Sequence, residues 1–154
     1  MFILDTCAFL TQKHPKGECI TIPEIKKEVV NKQSKQYFEN MLSTNLKIME
    51  PRQDSYQVVE KHAKKTGDFD VLSKNDMNII ALAYEMKGTI VTDDFAIQNV
   101  ALSLEVKFVS CSNKVITEKR LWSYKCNACK YIDKKKLKDC PICGNTEIFR
   151  IKSR

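Results

Sequence analysis

"IVTDDFAIQNV", residues 90–100, changes from a strand pattern to a helix pattern at two adjacent aspartates. The apolar run before Asp93 is typical of a buried strand, and the apolar residues after Asp94 recur at helical spacing. Adjacent carboxylates repel each other and are costly to bury in a core. The segment therefore predicts a strand that delivers acids to the edge of a sheet, where the next helix begins.

The same alternation of strand and helix recurs along residues 1–121. Short apolar runs predict strands at residues 2–4, 19–22, 46–50, 89–92 and 106–110. Helical patterns predict one helix from Pro23 that continues through residue 43, and further helices at 54–67, 74–87 and 94–105. Strands that alternate with helices imply βαβ units. The predicted fold class is α/β, with a central, mostly parallel sheet flanked by helices.

Composition excludes several classes of protein. Of 154 residues, 43% are hydrophobic and 29% are charged, which is typical of a globular chain rather than a disordered one. The apolar runs are far shorter than the ~18 residues that a membrane span needs, and the N-terminus has no basic leader. Seven cysteines, four of them in Cys-x-x-Cys pairs, favour metal binding in a reducing compartment over disulfides. We expect a soluble, cytoplasmic protein without membrane attachment.

The net charge of +7 is concentrated near the C-terminus. Residues 1–121 carry 17 Lys/Arg and 16 Asp/Glu, whereas residues 122–154 carry 9 and 3. Composition changes near Trp122, which predicts a body at 1–121 and a small basic domain at 122–154. A basic domain indicates an anionic partner, and nucleic acid is the first candidate. The alternative is a tail that lysines merely keep soluble.

Four segments place acids where a predicted strand ends or a predicted helix begins. These acids are Asp5, Glu24, Asp76 and the pair Asp93 and Asp94. In an open parallel sheet, the ends at which strands give way to helices lie on one edge, where such folds place their sites. We therefore expect these acids to meet in one cleft.

Carboxylates that meet in a cleft need a counter-charge. A divalent cation supplies it, and hard oxygen ligands suit Mg²⁺ or Mn²⁺, which activate water and clamp a phosphodiester. Taken singly, each acid has a structural alternative, such as a turn, a helix-dipole interaction or a helix cap. Glu28, one helical turn after Glu24, is either an outer member of the site or a solvated charge. Thr92 either offers a hydroxyl to the site or is an ordinary strand residue.

The basic domain contains two paired cysteine knuckles, Cys126-x₂-Cys129 and Cys140-x₂-Cys143. This spacing is a strong signal for a tetrahedral structural Zn²⁺, and four cysteine ligands leave no open position for catalysis. An iron centre of the rubredoxin type is the competing interpretation. A segment of this length cannot build a sufficient core alone, so metal binding should supply its folding energy.

Basic and aromatic residues between the knuckles suit nucleic acid. Lysines neutralise phosphates and a tyrosine stacks on bases; the alternative is a solvated face. The predicted nucleic-acid-binding residues are Lys130, Tyr131, Lys134, Lys135, Lys136 and Lys138.

Four segments resemble the acidic motifs of PIN-domain nucleases, in the expected order. They are ILDTCAFL (3–10), IPEIKKEV (22–29), LSKNDMNIIALA (72–83) and IVTDDFAIQNVA (90–101). With the four-cysteine ribbon behind them, the chain resembles the archaeal Nob family, endoribonucleases that mature the 3′ end of small-subunit ribosomal RNA. The resemblance covers nearly the whole chain.

The resemblance implies a metal-dependent site for cleaving single-stranded RNA. It makes Asp5, Glu24 and Asp76 metal ligands. The usual Thr-x-Asp pattern selects Asp94 as the fourth acid, although Asp93 is also a candidate. The implied partners are pre-ribosomal small-subunit RNA and ribosome-assembly proteins, and the oligomeric state is open. Two alternatives stand beside it: an RNA-binding scaffold that does not cleave, and a toxin-type PIN ribonuclease with another RNA substrate. Many PIN domains have a small hydroxyl residue two positions after the first Asp, where this chain has Cys7.

Overall fold

The computed structural model describes residues 1–153 and contains two β-sheets. The larger sheet has five strands, and every neighbouring pair is parallel, in the order β3-β2-β1-β4-β5. Its strands are β1 (Phe2–Leu4), β2 (Cys19–Thr21), β3 (Leu46–Ile48), β4 (Thr89–Val91) and β5 (Lys107–Val109). The predicted α/β class with a parallel central sheet is confirmed.

Within residues 1–153, six helices flank this sheet or pack on the helices that do. They are α1 (Thr6–Thr11), α2 (Ile25–Glu28), α3 (Lys32–Leu42), α4 (Gln53–Thr66), α5 (Lys74–Met86) and α6 (Phe95–Ser103). Ile3 and Leu4 are consecutive in β1, so they point to opposite faces of the sheet, and both are fully buried. Helices therefore cover both faces, which explains why the strands are continuously apolar. None of the helices in residues 1–153 is long and apolar enough to cross a lipid bilayer.

The strand order places β1, the strand that leads into Asp5, at the centre of the sheet. The chain runs outward from β1 through β2 to β3 and then returns to β4, on the other side of β1. Ligands of open parallel sheets bind at such a reversal, outside the carboxyl ends of the strands. Asp5 directly follows β1, and Asp93 and Asp94 closely follow β4. Asp5, Asp93 and Asp94 therefore follow the strand ends at the reversal, and the meeting of all the predicted acids in one cleft stays a prediction.

The predicted single helix from Pro23 to residue 43 is wrong, because the chain breaks it into α2 and α3. Val29 is extended and buried, and it leaves the helix at the C-cap of α2. The side chain of Asn31 then accepts the amide of Ser34 at 2.8 Å and starts α3 afresh. A buried apolar residue followed by a capping asparagine outweighs the helical pattern. Sequence patterns also missed α1, which Asp5 caps and which has only six residues.

The smaller sheet is antiparallel, in the order β7-β6-β8. Its strands are β6 (Trp122–Cys126), β7 (Ile132–Asp133) and β8 (Ile148–Lys152). This sheet and its cysteine loops are called the ribbon below. The second sheet starts at Trp122, and a domain division between residues 121 and 122 stays a prediction.

A buried ion pair joins the ribbon to the body. The Arg150 guanidinium of β8 donates to Asp68 Oδ1 at 2.6 Å and to the Gly67 carbonyl at 2.9 Å. Asp68 is only 1% exposed, and its Oδ2 also accepts from Thr66 and Asn99, at 2.7 and 2.6 Å. The free-energy cost of burying the Asp68 carboxylate is offset only while all three side-chain donors, Arg150, Thr66 and Asn99, are in place.

Two further contacts fix the same junction. The Arg150 guanidinium lies over the Trp122 ring, 4.3 Å from its centroid. Gly67 ends α4 at φ +81°, and a Cβ there would lie 2.7 Å from the Trp122 carbonyl oxygen. Glycine is thus required both by the left-handed conformation and by the close approach of the ribbon. The Tyr124 hydroxyl adds a hydrogen bond to Asp70 at 3.1 Å.

Candidate functional site

Asp5 lies at the centre of the sheet edge and is held by two neighbours. Its Oδ1 accepts the amide of Thr6 at 2.7 Å, and its Oδ2 accepts the hydroxyl of Thr92 at 2.6 Å. Burial is the main cause that raises the pKa of Asp5 to about 6, and the negative charges of Asp76 and Asp94 raise it further against these hydrogen bonds. Asp5 thus carries a charge that its surroundings do not compensate.

Thr92 connects Asp5 with Asp94. Its fully buried hydroxyl donates to Asp5 and accepts the amide of Asp94 at 3.1 Å. Asp94 caps α6, because its Oδ1 accepts the amides of Ala96 and Ile97 at 2.7 and 3.3 Å. Thr92 therefore supplies the hydroxyl that the sequence left as one of two alternatives.

Asp76 enters the same region from the start of α5. Its Oδ2 accepts the Ser73 amide at 2.7 Å, and its own amide donates to Ser73 Oγ at 3.1 Å. The pKa of Asp76 is raised mainly by burial, and the charges of Asp94 and Glu28 add to this effect. The capping box orients the carboxylate, and the negative charge of Asp76 in turn raises the pKa of Asp5.

Glu28 joins this cluster more clearly than Glu24 does. Its carboxylate accepts the Thr6 hydroxyl and, at 2.6 Å, the Asn75 side-chain amide. Thr6 follows Asp5 and Asn75 precedes Asp76, so Glu28 connects the segments that carry these acids. Glu24 is half-buried before α2 and makes no side-chain hydrogen bond within residues 1–153, so its role in the site stays a prediction. The sequence signal for Glu28 was its position one helical turn after Glu24.

Asp93 turns away from the cluster toward the segment after β5. Its Oδ1 accepts the Ser110 hydroxyl and the amides of Cys111 and Ser112, at 2.8 and 3.1 Å. Burial opposes the charge of Asp93, but the hydrogen bonds from Ser110 and from the two amides outweigh it and lower the pKa. Asp93 organises this segment, and its role as a metal ligand also stays a prediction.

The donor set of Asp5, Asp76 and Asp94 fits a hard divalent cation. Within the described residues, no lysine, arginine or histidine forms an ion pair with these acids. Their hydrogen bonds come from amides and hydroxyls, which orient the oxygens without neutralising them. Carboxylate oxygens are the ligands that Mg²⁺ and Mn²⁺ prefer. Within the described residues the oxygens of these three acids do not all lie within 4.8 Å of one another.

The four ribbon cysteines converge as their spacing predicts. Their sulfur atoms all lie within 4.8 Å of one another, with Cys126–Cys143 at 3.6 Å and Cys129–Cys140 at 3.4 Å. Tetrahedral Zn–S bonds of about 2.3 Å bring sulfurs to comparable separations. Burial opposes a thiolate at Cys126, but the amides of Cys129 and Ala128 outweigh it and lower the pKa of Cys126 to about 6. The cluster is confirmed, and it fits a structural zinc ion.

The predicted nucleic-acid-binding side chains differ in their surroundings. Lys130 bonds to the Asn127 carbonyl, and the Tyr131 hydroxyl donates to Asp133 at 3.1 Å. Lys134 lines a groove of about 430 Å³ between ribbon and body, together with three body lysines that the sequence did not single out. These are Lys64, Lys65 and Lys119. We call this groove, which Lys64, Lys65, Lys119 and Lys134 line, the lysine groove. Lys135, Lys136 and Lys138 lie outside it and are exposed.

Comparison with known proteins gives consistent results. A family model described as the PIN domain of ribonuclease matches residues 2–86. The Ribonuclease VapC1 of Thermoplasma acidophilum is 33% identical over 151 residues, covering 94% of this chain and 75% of that protein. The Endoribonuclease Nob1 of Archaeoglobus fulgidus is 32% identical over 153 residues, covering 96% and 89%. The 20S-pre-rRNA D-site endonuclease NOB1 of Saccharomyces cerevisiae is 34% identical over 91 residues, covering 55% and 20%.

A PIN-domain match over more than half of the chain, Nob1 relatives aligned over nearly all of it, and a four-cysteine cluster behind the parallel sheet agree with one another. The chain therefore belongs to the Nob family of PIN-domain ribonucleases.

Proposed function

We propose that this chain is a metal-dependent endoribonuclease that cleaves single-stranded RNA and matures the 3′ end of small-subunit ribosomal RNA. The observation that carries the proposal is that Asp5 and Asp94 follow the strands at the reversal and that the charges of Asp76 and Asp94 act on Asp5, whose pKa burial raises to about 6. Family membership supports nuclease chemistry, and the name of the yeast relative supports ribosomal RNA as the substrate.

The acids are arranged to hold Mg²⁺ or Mn²⁺. When bound, such an ion supplies an activated water and stabilises the charge that develops on the phosphodiester. The protein orients the ligand oxygens. The Thr92 hydroxyl donates to one oxygen of Asp5 and accepts the backbone amide of Asp94, and the Ser73 amide donates to Asp76. Ligand oxygens held in this way need no reorganisation when the substrate arrives. We further propose that zinc occupies the ribbon cysteines and has a structural role only.

Glu28 and Glu24 provide a matched pair for testing the acid cluster. We expect Glu28→Gln to lower the rate of RNA cleavage by roughly 10–100-fold, because the Glu28 carboxylate orients the segments that carry Asp5 and Asp76. Glu24→Gln tests the predicted role of Glu24 as a metal ligand: a loss of at least about 10-fold would support that role, and a change of less than about 3-fold would exclude it. The measurement is single-turnover cleavage of an RNA that spans the 3′ end of small-subunit rRNA, with Mn²⁺ present. A larger loss for Glu24→Gln would reverse the assignment of the two residues.

The lysine groove is the proposed docking surface for RNA phosphates. Replacing Lys119 and Lys134 with glutamine is expected to weaken RNA binding roughly 10-fold. It should also reduce the slope of log affinity against log salt by about 1.4 units, because each of two lost phosphate contacts on single-stranded RNA contributes about 0.7. The control replaces Lys32 and Lys35 of α3, which lie outside the groove. Fluorescence anisotropy at several salt concentrations measures both quantities. Equal losses in the two double variants would show that the groove is not the docking surface.

Two other functions are separated by their substrates and by their metal dependence. The match to Ribonuclease VapC1 covers 94% of this chain, which keeps a toxin-type ribonuclease with another substrate as the second candidate. Faster cleavage of tRNA than of the rRNA precursor would favour it. A scaffold for pre-ribosomal RNA or ribosome-assembly proteins would bind RNA equally with and without divalent ions and leave it intact.

With the ribosomal role we also propose that the protein acts in the cytoplasm.

A further inference from the structure

Two cysteines outside the ribbon lie side by side near the acid cluster. Cys7 Sγ and Cys111 Sγ are 3.3 Å apart, although the residues are 104 positions apart in the sequence. Cys7 is in α1, two residues after Asp5, and Cys111 follows β5, where its amide holds Asp93 at 2.8 Å. Both cysteines are partly exposed, so solutes can reach them.

The surroundings of the sulfurs suit thiols better than metal-bound thiolates. Cys7 Sγ lies 3.8 Å from the Val91 carbonyl oxygen, and Cys111 Sγ lies 3.4 Å from the carbonyl oxygen of Lys13. A carbonyl oxygen accepts a hydrogen bond from a thiol, but it repels a thiolate. Asp93 is the third residue that could hold an ion with them. Its Oδ1 already accepts three hydrogen bonds, from the Ser110 hydroxyl and the amides of Cys111 and Ser112, which tie that oxygen to the segment after β5.

We propose that Cys7 and Cys111 are a reversible redox pair that closes to a disulfide in the presence of a peroxide. One thiol first loses its proton to solvent, and the resulting thiolate attacks a peroxide oxygen. The O–O bond breaks, a sulfenic acid forms, and the leaving hydroxide takes up a proton to give one water. The second sulfur then attacks the sulfenic sulfur, the S–O bond breaks, and a second water leaves. Both thiols are oxidised, two hydrogen atoms are lost from the protein, and one peroxide is reduced to two waters. A dithiol reductant reverses the reaction.

Closure would connect two segments that border the proposed active site. Helix α1 carries Cys7 and is capped by Asp5, while the segment of Cys111 contributes the amide that holds Asp93. A bond between them closes a loop of about one hundred residues, which restricts the unfolded chain strongly. The proposal does not depend on nuclease activity, because its readouts are a mass, a thiol count and a melting temperature.

The test uses the full-length, zinc-loaded chain and hydrogen peroxide in slight molar excess. Digestion without reduction is expected to yield a peptide pair that joins Cys7 to Cys111 and is lighter by two hydrogen atoms than the two free peptides. Dithiothreitol should separate the pair. Oxidation should raise the melting temperature by about 5 °C or more. The Cys7→Ser and Cys111→Ser variants should lose both effects, whereas Cys19→Ser should keep them.

Two outcomes would overturn the redox pair. In the first, alkylation still labels Cys7 and Cys111 in full after peroxide treatment that leaves the ribbon zinc bound. In the second, the reduced chain binds two zinc ions, and Cys7→Ser lowers the content to one, which would make the pair part of a metal site. Zinc content is measured by atomic absorption on the same samples.

Discussion

Replacing both Asp5 and Asp76 with asparagine is expected to slow RNA cleavage by at least about 100-fold in the presence of Mn²⁺. Asparagine keeps the size of each side chain but removes the negative charge that a divalent cation needs. Burial is the main cause that raises the pKa values of both acids, and the negative charge of Asp76 raises that of Asp5 further. The same variant should therefore be as stable as the unmodified protein, or more stable, without divalent ions.

The matched control for this experiment is Asp93→Asn. Asp93 is adjacent to Asp94 in sequence, but its hydrogen bonds are directed to Ser110, Cys111 and Ser112. Asp93→Asn is expected to retain cleavage within a few-fold and to lose stability instead, by about 1–2 kcal/mol. Single-turnover cleavage and thermal unfolding distinguish the two variants. Undiminished cleavage by the Asp5→Asn, Asp76→Asn protein would refute the proposed active site.

The second large effect is expected from Cys126→Ser, which removes one of four ligands from the ribbon. Structural zinc contributes on the order of 10 kcal/mol to small domains of this kind, so the ribbon should unfold. The body should stay folded but become less stable, because Arg150 then leaves Asp68 and Trp122 no longer packs on Gly67. Backbone NMR spectra report on the ribbon and the body separately. Retention of the dispersed ribbon signals would contradict the prediction.

Arg150→Met tests the ion pair while leaving the zinc site intact. It removes the guanidinium from Asp68, whose side chain is only 2% exposed, and should cost about 3–5 kcal/mol because the carboxylate stays buried without its counter-charge. Lys152→Met on the same strand is the control, since Lys152 is exposed and should change stability by less than about 0.5 kcal/mol. Chemical denaturation measures both. Equal stability of the two variants would show that the pair contributes nothing to the junction.

Much of this architecture could be predicted from sequence because local rules govern it. Ser73 caps α5 and Gly67 ends α4, as their residue types predict. Asp94 was expected at a helix start, and it is the N-cap of α6. The Cys-x₂-Cys spacing alone predicts that the four ribbon cysteines converge. In each case a few consecutive residues decide the outcome.

The remaining features depend on contacts between distant segments. Glu24 and Glu28 are both acids of one short helical stretch, and only the positions of Thr6 and Asn75 distinguish them. Asp93 and Asp94 are adjacent, and their different directions depend on hydrogen-bond donors that follow β5. The proximity of Cys7 to Cys111 likewise follows from β1 and β5 flanking the same strand, β4. Periodicity and spacing carry no record of such tertiary partners.

The contact between Arg150 and Asp68 has a consequence for how the enzyme would choose its cleavage position. The ribbon is held at the end of α4 by the Arg150–Asp68 ion pair, by the Arg150 guanidinium stacked on Trp122 and by the close approach of Trp122 to Gly67. These contacts fix its position relative to α4. An RNA strand anchored in the lysine groove would then reach the carboxylates at a fixed number of nucleotides from its anchor. The junction would thus set the distance between the RNA anchor and the carboxylates, so that this distance, rather than the identity of the bases, selects the phosphodiester bond that is cleaved.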